Sequence, residues 1–307
     1  MRIGFDVGGT KIEVIALDDR GVVCLRRRVA TPRGNYEATL QTIADLARDC
    51  MRELRVPCTI GIGIPGAISP ASGLVKNANS VWLNARPLQQ DLERLIGQPL
   101  RLSNDANCFA LSEATDGAAA GAAVVFGVIV GTGTGGGLVV AGRVLEGPHR
   151  IAGEWGHNPL PWPEPDEWPG PACYCGRTGC IETFLSGPGL ARCYERRTSE
   201  VIDAIEVVRR AEQGDSVAAE ALAQYEHRMA RALASIINVL DPDVIVLGGG
   251  LSNVARFYSS VPQLWAPFVF SDRVETPLVR AAHGDASGAR GAAILGAVGT
   301  GWGGWGG

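Results

Sequence analysis

The segment CYCGRTGC, residues 173–180, carries three of the eight cysteines of the 307-residue chain. His157 lies sixteen residues before Cys173. Its imidazole and the three thiolates of the segment can form a closed tetrahedral set that suits a structural Zn²⁺ ion. A disulfide would leave one of these thiols unpaired, and a thioredoxin-type redox centre needs two cysteines separated by two residues, which the segment lacks. The spacing therefore favours zinc, with His157, Cys173, Cys175 and Cys180 as the candidate ligands.

A second candidate for chemistry is Asp105, which lies between a predicted strand, Leu100–Ser103, and a predicted helix, Ala106–Ala120. An aspartate at this place is a common helix N-cap. It is equally a group that could orient an attacking hydroxyl and accept its proton in a phosphoryl transfer. The local sequence leaves both interpretations open.

Glycine-rich turns are the third feature. The dinucleotide pattern G-x-G-x-x-G occurs at 61–66, 131–136 and 301–306, but none of these opens a predicted helix, and the Walker sequence is absent. What remains are glycine hairpins whose backbone N–H groups can converge on phosphate oxygens. Asp6 ends the first strand beside such a turn, where a carboxylate could hold Mg²⁺ through water. An ordinary hairpin is the alternative for residues 6–11.

The elements that must position these groups form a repeated pattern. Met1–Val7 and Lys11–Leu17 are predicted strands around a glycine turn, and helices and strands then alternate to about residue 120. The strand–turn–strand pattern restarts at Val124–Val130, followed by helices at Val201–Gln213 and Val217–Leu240. This weak internal duplication predicts two α/β lobes with a ligand cleft between them.

Composition narrows the class of protein. The net charge is −4 with a pI near 5.7, which disfavours nucleic-acid binding. No N-terminal signal is evident, and the uncharged run between Asp116 and Arg143 is rich in glycine, so no membrane span is expected. The remaining cysteines have no pairing pattern, which is typical of a cytoplasmic protein.

Together, these motifs resemble known ones. DVGGTK, GTGTGGG and LGGG are similar to the phosphate-1, phosphate-2 and adenosine motifs of the actin–hexokinase–Hsp70 ATPase superfamily. GEWGH followed by CYCGRTGCIE resembles the zinc signature of the ROK family of bacterial sugar kinases. The resemblance to this family extends from residue 1 to about residue 298. Two further segments, GIPGAISPASGLVKNANSVWLN and LSNDANC, look closest to its fructokinase (manno-fructokinase) branch.

The resemblance implies an α/β, two-lobed actin-like ATPase fold of the ribonuclease H-like type, with the active-site cleft between the lobes. We expect the N-terminal lobe at 1–117, joined by the last helix at about 287–300. The C-terminal lobe is expected at 118–286, with the zinc loop at 157–180. We expect residues 301–307 to form a disordered tail, and relatives of this type are commonly homodimers.

The resemblance also implies roles for individual residues. Asp105 would be the general base, and sugar hydroxyls would be bound by Gly66, Ala67, Asn79, Asn104, Asp105, Glu154, His157 and Glu182. ATP and Mg²⁺ would be held by Asp6, Gly8, Gly9, Thr10 and Lys11, by Gly131, Thr132, Gly133, Thr134 and Gly135, and by Gly248, Gly249 and Gly250. The Zn²⁺ would be structural, because four protein ligands leave no open position for substrate.

The function expected from these observations is ATP-dependent phosphorylation of a free hexose. Fructose is the favoured substrate, with mannose and glucose as further ones. The alternatives are a glucokinase or N-acetylhexosamine kinase of the same family, and a non-catalytic sugar-binding regulator.

Overall fold

The computed structural model describes residues 1–297, so the expected tail at 301–307 lies outside the described residues. The chain forms two compact units. Unit 1 comprises Met1–Ser112, Pro148–Arg150 and a last segment that begins at Ala286, and unit 2 comprises Glu113–Gly147 and Ile151–Asp285.

The first part of the chain builds most of unit 1. Its elements are β1 (Arg2–Val7), β2 (Lys11–Leu17), β3 (Val23–Ala30), α1 (Tyr36–Leu54), β4 (Thr59–Ile64), β5 (Ala67–Ile68), β6 (Val75–Lys76), α2 (Leu88–Ile96), β7 (Arg101–Asn104) and α3 (Asp105–Asp116). The sheet order is β3-β2-β1-β4-β7, in which β1 pairs antiparallel with β2 and parallel with β4.

The next part builds unit 2, after which the chain returns to unit 1. The elements are β8 (Val124–Val130), β9 (Thr134–Val140), β10 (Arg143–Val144), α4 (Ile181–Leu185), α5 (Gly187–Thr198), α6 (Ala204–Glu212), α7 (Ser216–Leu240), β11 (Val244–Gly248), α8 (Phe257–Trp265), β12 (Leu278–Arg280) and, in unit 1, α9 (Ser287–Ala297). The sheet order β10-β9-β8-β11-β12 repeats the pattern of unit 1, with β8 antiparallel to β9 and parallel to β11. The duplication expected from the sequence is therefore present in the topology.

Local chemistry explains where helices begin and what they bury. The side chain of Asn35 accepts the N–H of Ala38 at 3.0 Å and caps α1, which packs Leu40 and Ile43 into the core of unit 1. In unit 2 the long helix α7 is capped by Asp215, and its Tyr225 lies fully buried in the second core.

Glycines allow α9 to lie against the sheet of unit 1. A Cβ on Gly61 would fall 1.8 Å from the carbonyl oxygen of Ala292, and one on Gly4 would fall 2.0 Å from that of Ala289. Gly61 is the first residue of one of the dinucleotide-like patterns in the sequence. The structure requires glycine there because the helix and the sheet approach each other too closely for a side chain.

The structure also contains helices that the sequence did not predict, namely α4, α5 and α8. Helix α5 begins with Gly187, Pro188 and Gly189, residues that usually indicate a turn. Helix α8 contains Pro262. Within residues 1–297, no helix combines the length and apolarity needed to span a membrane.

Candidate active site

The four expected zinc ligands come together in unit 2. Their ligand atoms all lie within 4.8 Å of one another. The Sγ of Cys173 is 3.6 Å from Nδ1 of His157, and the Sγ atoms of Cys175 and Cys180 are 3.6 Å apart. A tetrahedron with ordinary Zn–N and Zn–S bonds has edges of about 3.6 Å for N to S and about 3.8 Å for S to S. The donor set therefore fits a structural zinc ion.

Tight turns bring the thiols to one point. Gly176 and Gly179 adopt left-handed backbone conformations with φ of 87° and 69°. The N–H of Cys173 donates to the carbonyl of Arg177 at 2.7 Å and closes the loop. Burial and hydrogen bonds from the neighbouring thiols raise the pKa of Cys180 to about 12. A set of thiolates at this place requires a cation to stabilise it.

Beside the zinc ligands lie the side chains expected to bind sugar in this unit. His157 ends a short 3₁₀ turn, Trp155–His157, that follows Glu154 directly, and Glu182 lies in the first turn of α4. Glycine packing fixes this segment, because a Cβ on Gly156 would fall 2.0 Å from the carbonyl oxygen of Thr134.

Tyr174 joins this group, and the sequence analysis did not single it out. Its hydroxyl lies 3.0 Å from Nε2 of His157, and the two rings meet edge to face at 5.1 Å. Partial burial, followed by the charges of Glu182 and Glu154, raises the pKa of Tyr174 above its usual value. The hydroxyl therefore lies near all three expected sugar-binding side chains of unit 2.

The glycine turn between β8 and β9 is held by Glu182. An Oε2 oxygen of this residue accepts the backbone N–H of Thr134 at 2.9 Å, and a Cβ on Gly133 would approach the same oxygen to 2.6 Å. The N–H of Gly187 donates to the carbonyl of Gly131 at 2.7 Å. The turn at 131–135 is therefore fixed to the two helices that follow the zinc loop.

The expected adenosine segment adjoins this turn, because β8 and β11 are parallel neighbours. Gly249 has a φ of 82°, and a Cβ there would fall 2.4 Å from the carbonyl oxygen of Val130. A cavity of about 440 Å³ opens at this end of the sheet, lined by Gly248, Gly249, Ser252, Arg280, His283 and Asp285 among others. Ligands commonly bind at the carboxyl ends of parallel strands.

A buried carboxylate supports the far wall of this cavity. Glu113, fully buried, accepts the N–H groups of Ala118 at 2.9 Å, Ala282 at 2.8 Å and His283 at 3.2 Å. The imidazole of His283 also contacts Asp116 at 2.9 Å. Neither Glu113 nor His283 follows a recognisable motif, so only the folded chain shows this role.

In unit 1, Asp105 is the first residue of α3 and directly follows β7. The positive end of a helix dipole favours the charged carboxylate there. Both Asp105 and Asn104 accept the N–H of Ala106 at 2.8 Å, but Asp105 is already the first helical residue, so Asn104 and not Asp105 holds the N-cap position. The amide of Asn104 also donates to the carbonyl of Gly66 at 3.2 Å, which ties the turn at 66–67 to the start of α3.

The remaining expected residues of unit 1 lie around the turn between β1 and β2. The N–H of Gly8 donates to the carbonyl of Lys11 at 2.9 Å, and Thr31 donates its hydroxyl hydrogen to the carbonyl of Gly8 at 2.8 Å. A Cβ on Gly9 would lie 3.4 Å from the buried hydroxyl of Ser80, whose neighbour Asn79 is exposed. The turn and the segment at 79–80 are therefore adjacent in unit 1.

Comparisons with known proteins agree with this arrangement. The model of the ROK family matches residues 2–297. An N-acetyl-D-glucosamine kinase of Vibrio atlanticus (strain LGP32) is 40% identical over 302 residues, covering 96% of this chain and 99% of that protein. The corresponding kinase of Pasteurella multocida (strain Pm70) is also 40% identical, with the same coverage of both chains.

Solved structures give the same result. The ROK hexokinase from Thermus thermophilus superimposes with a TM-score of 0.84 at 33% identity, covering 96% of this chain and 97% of that one. A ROK glucokinase from Streptomyces griseus, in complex with glucose and AMPPNP, superimposes with a TM-score of 0.80 at 27% identity, covering 96% and 98%. These comparisons confirm the expected actin-like ATPase fold and the expected kinase activity, but they do not specifically support the fructokinase branch. The chain belongs to the ROK family and is an ATP-dependent sugar kinase.

Proposed function

We propose that the sugar phosphorylated by this kinase is N-acetyl-D-glucosamine. The observation that carries this proposal is the 40% identity, over nearly the full length of both chains, to kinases named for that substrate. The expectation of fructose rested on short segments in the first hundred or so residues, whereas the identity extends along the whole chain.

In the proposed reaction Asp105 orients the attacking hydroxyl and accepts its proton. Phosphoryl transfer passes through a loose transition state, so an ordinary carboxylate is basic enough for this task. Asn104 positions the turn at Gly66 and Ala67, and Asn79 lies exposed on the neighbouring segment, where it can bind a hydroxyl. Glu154, His157 and Glu182 bind further hydroxyls.

The glycine turns hold the nucleotide in this proposal. In the turns at 8–11 and 131–135, backbone N–H groups other than those of Gly8, Gly131 and Thr134, which bond within the protein, would donate to phosphate oxygens. The cavity beside Gly248 and Gly249 takes the adenosine. Mg²⁺ is expected to bind mainly through ATP itself, with Asp6 as a ligand through water, because Mg²⁺ usually keeps several waters. Thr10 and Lys11 complete the first turn, and Thr132 is exposed on the second.

The zinc ion has a structural task in the proposal. All four of its ligands are protein side chains, so no coordination position is left for sugar. Binding through Nδ1 leaves the proton of His157 on Nε2, where it can be donated to a hydroxyl oxygen.

Steady-state kinetics test the substrate. ADP formation from Mg-ATP would be measured with N-acetylglucosamine, N-acetylmannosamine, glucose, mannose and fructose over a range of concentrations. We expect kcat/KM for N-acetylglucosamine to exceed the others by at least tenfold. A higher kcat/KM for fructose would overturn the substrate proposal and restore the fructokinase expectation.

A further inference from the structure

A second cavity, of about 320 Å³, lies in unit 2 behind the helix that carries Glu182. Thr183 and Phe184 of α4 form one wall, and Arg192, Cys193, Arg196 and Arg197 of α5 form another. Gln224 and Arg228 of α7 and the loop residues Asp166 and Pro171 complete it. The volume is at the lower end of the range for small-molecule pockets, so a ligand here would be compact.

Positive charge dominates the lining. Four guanidinium groups face the cavity, whereas Asp166 is the single carboxylate of the lining. Arg192 donates to the carbonyl of Thr183 at 3.0 Å, and Arg197 donates to the carbonyl of Cys193 at 3.0 Å and to Gln224 at 2.9 Å. In residues 1–297 neither of these arginines, nor Arg196, forms an ion pair with a carboxylate.

The deepest charge is Arg228, whose side chain is 4% exposed. Its Nε donates to Glu167 at 2.7 Å, and its guanidinium carbon lies 5.0 Å from the centre of the Phe184 ring. Among the described residues, neither Nη atom of Arg228 has a hydrogen-bond acceptor. Neither Nη atom is among the buried donors left without a partner, so both are open to the cavity and can donate to the oxygen atoms of a ligand there.

Glu167 does not balance this charge alone. It accepts hydrogen bonds from both Arg228 and Arg231, at 2.7 Å and 2.8 Å. Burial would raise the pKa of Glu167, but the hydrogen bonds from Arg228, the backbone and Arg231 hold it below its usual value. One carboxylate therefore faces two buried guanidinium groups, which leaves one excess positive charge beside the cavity.

We propose that this cavity is a binding site for a small phosphate monoester or for phosphate itself, distinct from the residues that bind sugar and nucleotide. Arginine forks match phosphate oxygens, and Arg228 supplies the buried contact while Arg192 and Arg196 supply charge at the rim. Because Thr183 and Phe184 follow Glu182 on α4, a bound anion also fixes the helix that holds the glycine turn at 131–135.

Calorimetric titration of the full-length, zinc-loaded protein tests the site, with inorganic phosphate and a hexose 6-phosphate as separate probes. The test variant is Arg192→Gln/Arg196→Gln, which removes two rim charges without disturbing the buried Glu167 pairs. The matched control is Arg20→Gln/Arg52→Gln, which removes two charges from exposed positions of unit 1.

We expect saturable binding that weakens at least tenfold in the test variant and less than twofold in the control. Tighter binding of the hexose 6-phosphate than of phosphate indicates that the site also recognises the sugar, and equal binding indicates that it recognises the phosphate group alone. If the affinity for the hexose 6-phosphate were unchanged in the test variant, that probe would be bound at the catalytic residues instead, and the proposal would be overturned. Absence of saturable binding of both probes, or equal loss in both variants, would overturn the proposal.

Discussion

The two nitrogens of His157 have different neighbours, and this asymmetry determines what the residue can do. Nδ1 faces the thiols, 3.6 Å from Cys173, and Nε2 faces the hydroxyl of Tyr174 at 3.0 Å. A zinc ion on Nδ1 makes Nε2 a hydrogen-bond donor. In the proposed function the tyrosine oxygen therefore occupies the place of a sugar hydroxyl, and the sugar would have to displace it.

The substitution Tyr174→Phe tests this competition. It removes the hydroxyl and keeps the edge-to-face ring contact with His157. A net hydrogen bond contributes about 1 kcal/mol, so we expect the Kd of the sugar to fall about two- to fivefold. Zinc content, measured by mass spectrometry, should stay the same. Weaker sugar binding in the variant would mean that Tyr174 is itself a contact of the sugar.

Asp105 allows a separate test of the base. In Asp105→Asn the side chain keeps an oxygen that can accept the N–H of Ala106, so the start of α3 is preserved. General base catalysis contributes about 10²- to 10⁴-fold, and we expect kcat to fall within that range while the sugar Kd changes little. Rapid-quench and equilibrium-binding measurements separate the two quantities. A kcat close to that of the wild type would remove Asp105 from the chemistry.

At the scale of elements, the zinc loop joins three parts of the site in unit 2. It carries His157 at one end and leads into α4 with Glu182 at the other, and Glu182 holds the N–H of Thr134. Because the loop itself has little regular structure, a bound zinc ion would contribute to the free energy that orders it. Loss of zinc should therefore affect sugar binding and the glycine turn together.

Cys175→Ser tests this dependence, with Cys24→Ser as the control because Cys24 is an exposed thiol on β3. We expect the zinc content of the first variant to drop from about one ion per chain to almost none, since a serine hydroxyl is a poor ligand for zinc. The KM for sugar should rise at least tenfold, and the control should match the wild type in both measurements. Zinc loss with an unchanged KM would show that the loop holds its shape without the metal.

The elements differ in how well the sequence predicts them. The hairpin of β1 and β2 follows from periodicity and turn residues, and the long helix expected at Val217–Leu240 is observed as α7, Ser216–Leu240. Helix α5 does not, because its Gly-Pro-Gly start forms only with the cap from Ser186 and with the burial of Leu190 and Tyr194. Tyr174 and Glu113 were missed for a similar reason, since their partners are distant in the sequence or belong to no motif.

At the scale of the whole molecule, the path of the chain makes unit 1 depend on the last described helix. The strands of its sheet come from the first 104 residues, but α9 begins at residue 287, after the whole of unit 2. The contact is backbone to backbone, through Gly4 and Gly61 on the sheet and Ala289 and Ala292 on the helix. Unit 1 is therefore complete only when α9 has packed on the sheet formed by the first 104 residues. Because this contact joins residues far apart in the sequence, we expect it to form slowly during folding.

Gly61→Ala tests how much stability this contact provides. The added Cβ would fall 1.8 Å from the carbonyl oxygen of Ala292, and neither backbone can move without disturbing β4 or α9. Overpacking of this kind costs about 1–3 kcal/mol or more, so we expect a fall of several degrees in Tm by calorimetry. Gly250→Ala is the steric control, because the space around a Cβ there is open and its Tm should stay within about one degree of the wild type. If both variants melted at the wild-type temperature, α9 would not be tightly packed on the sheet, and the completion of unit 1 by the end of the chain would have to be abandoned.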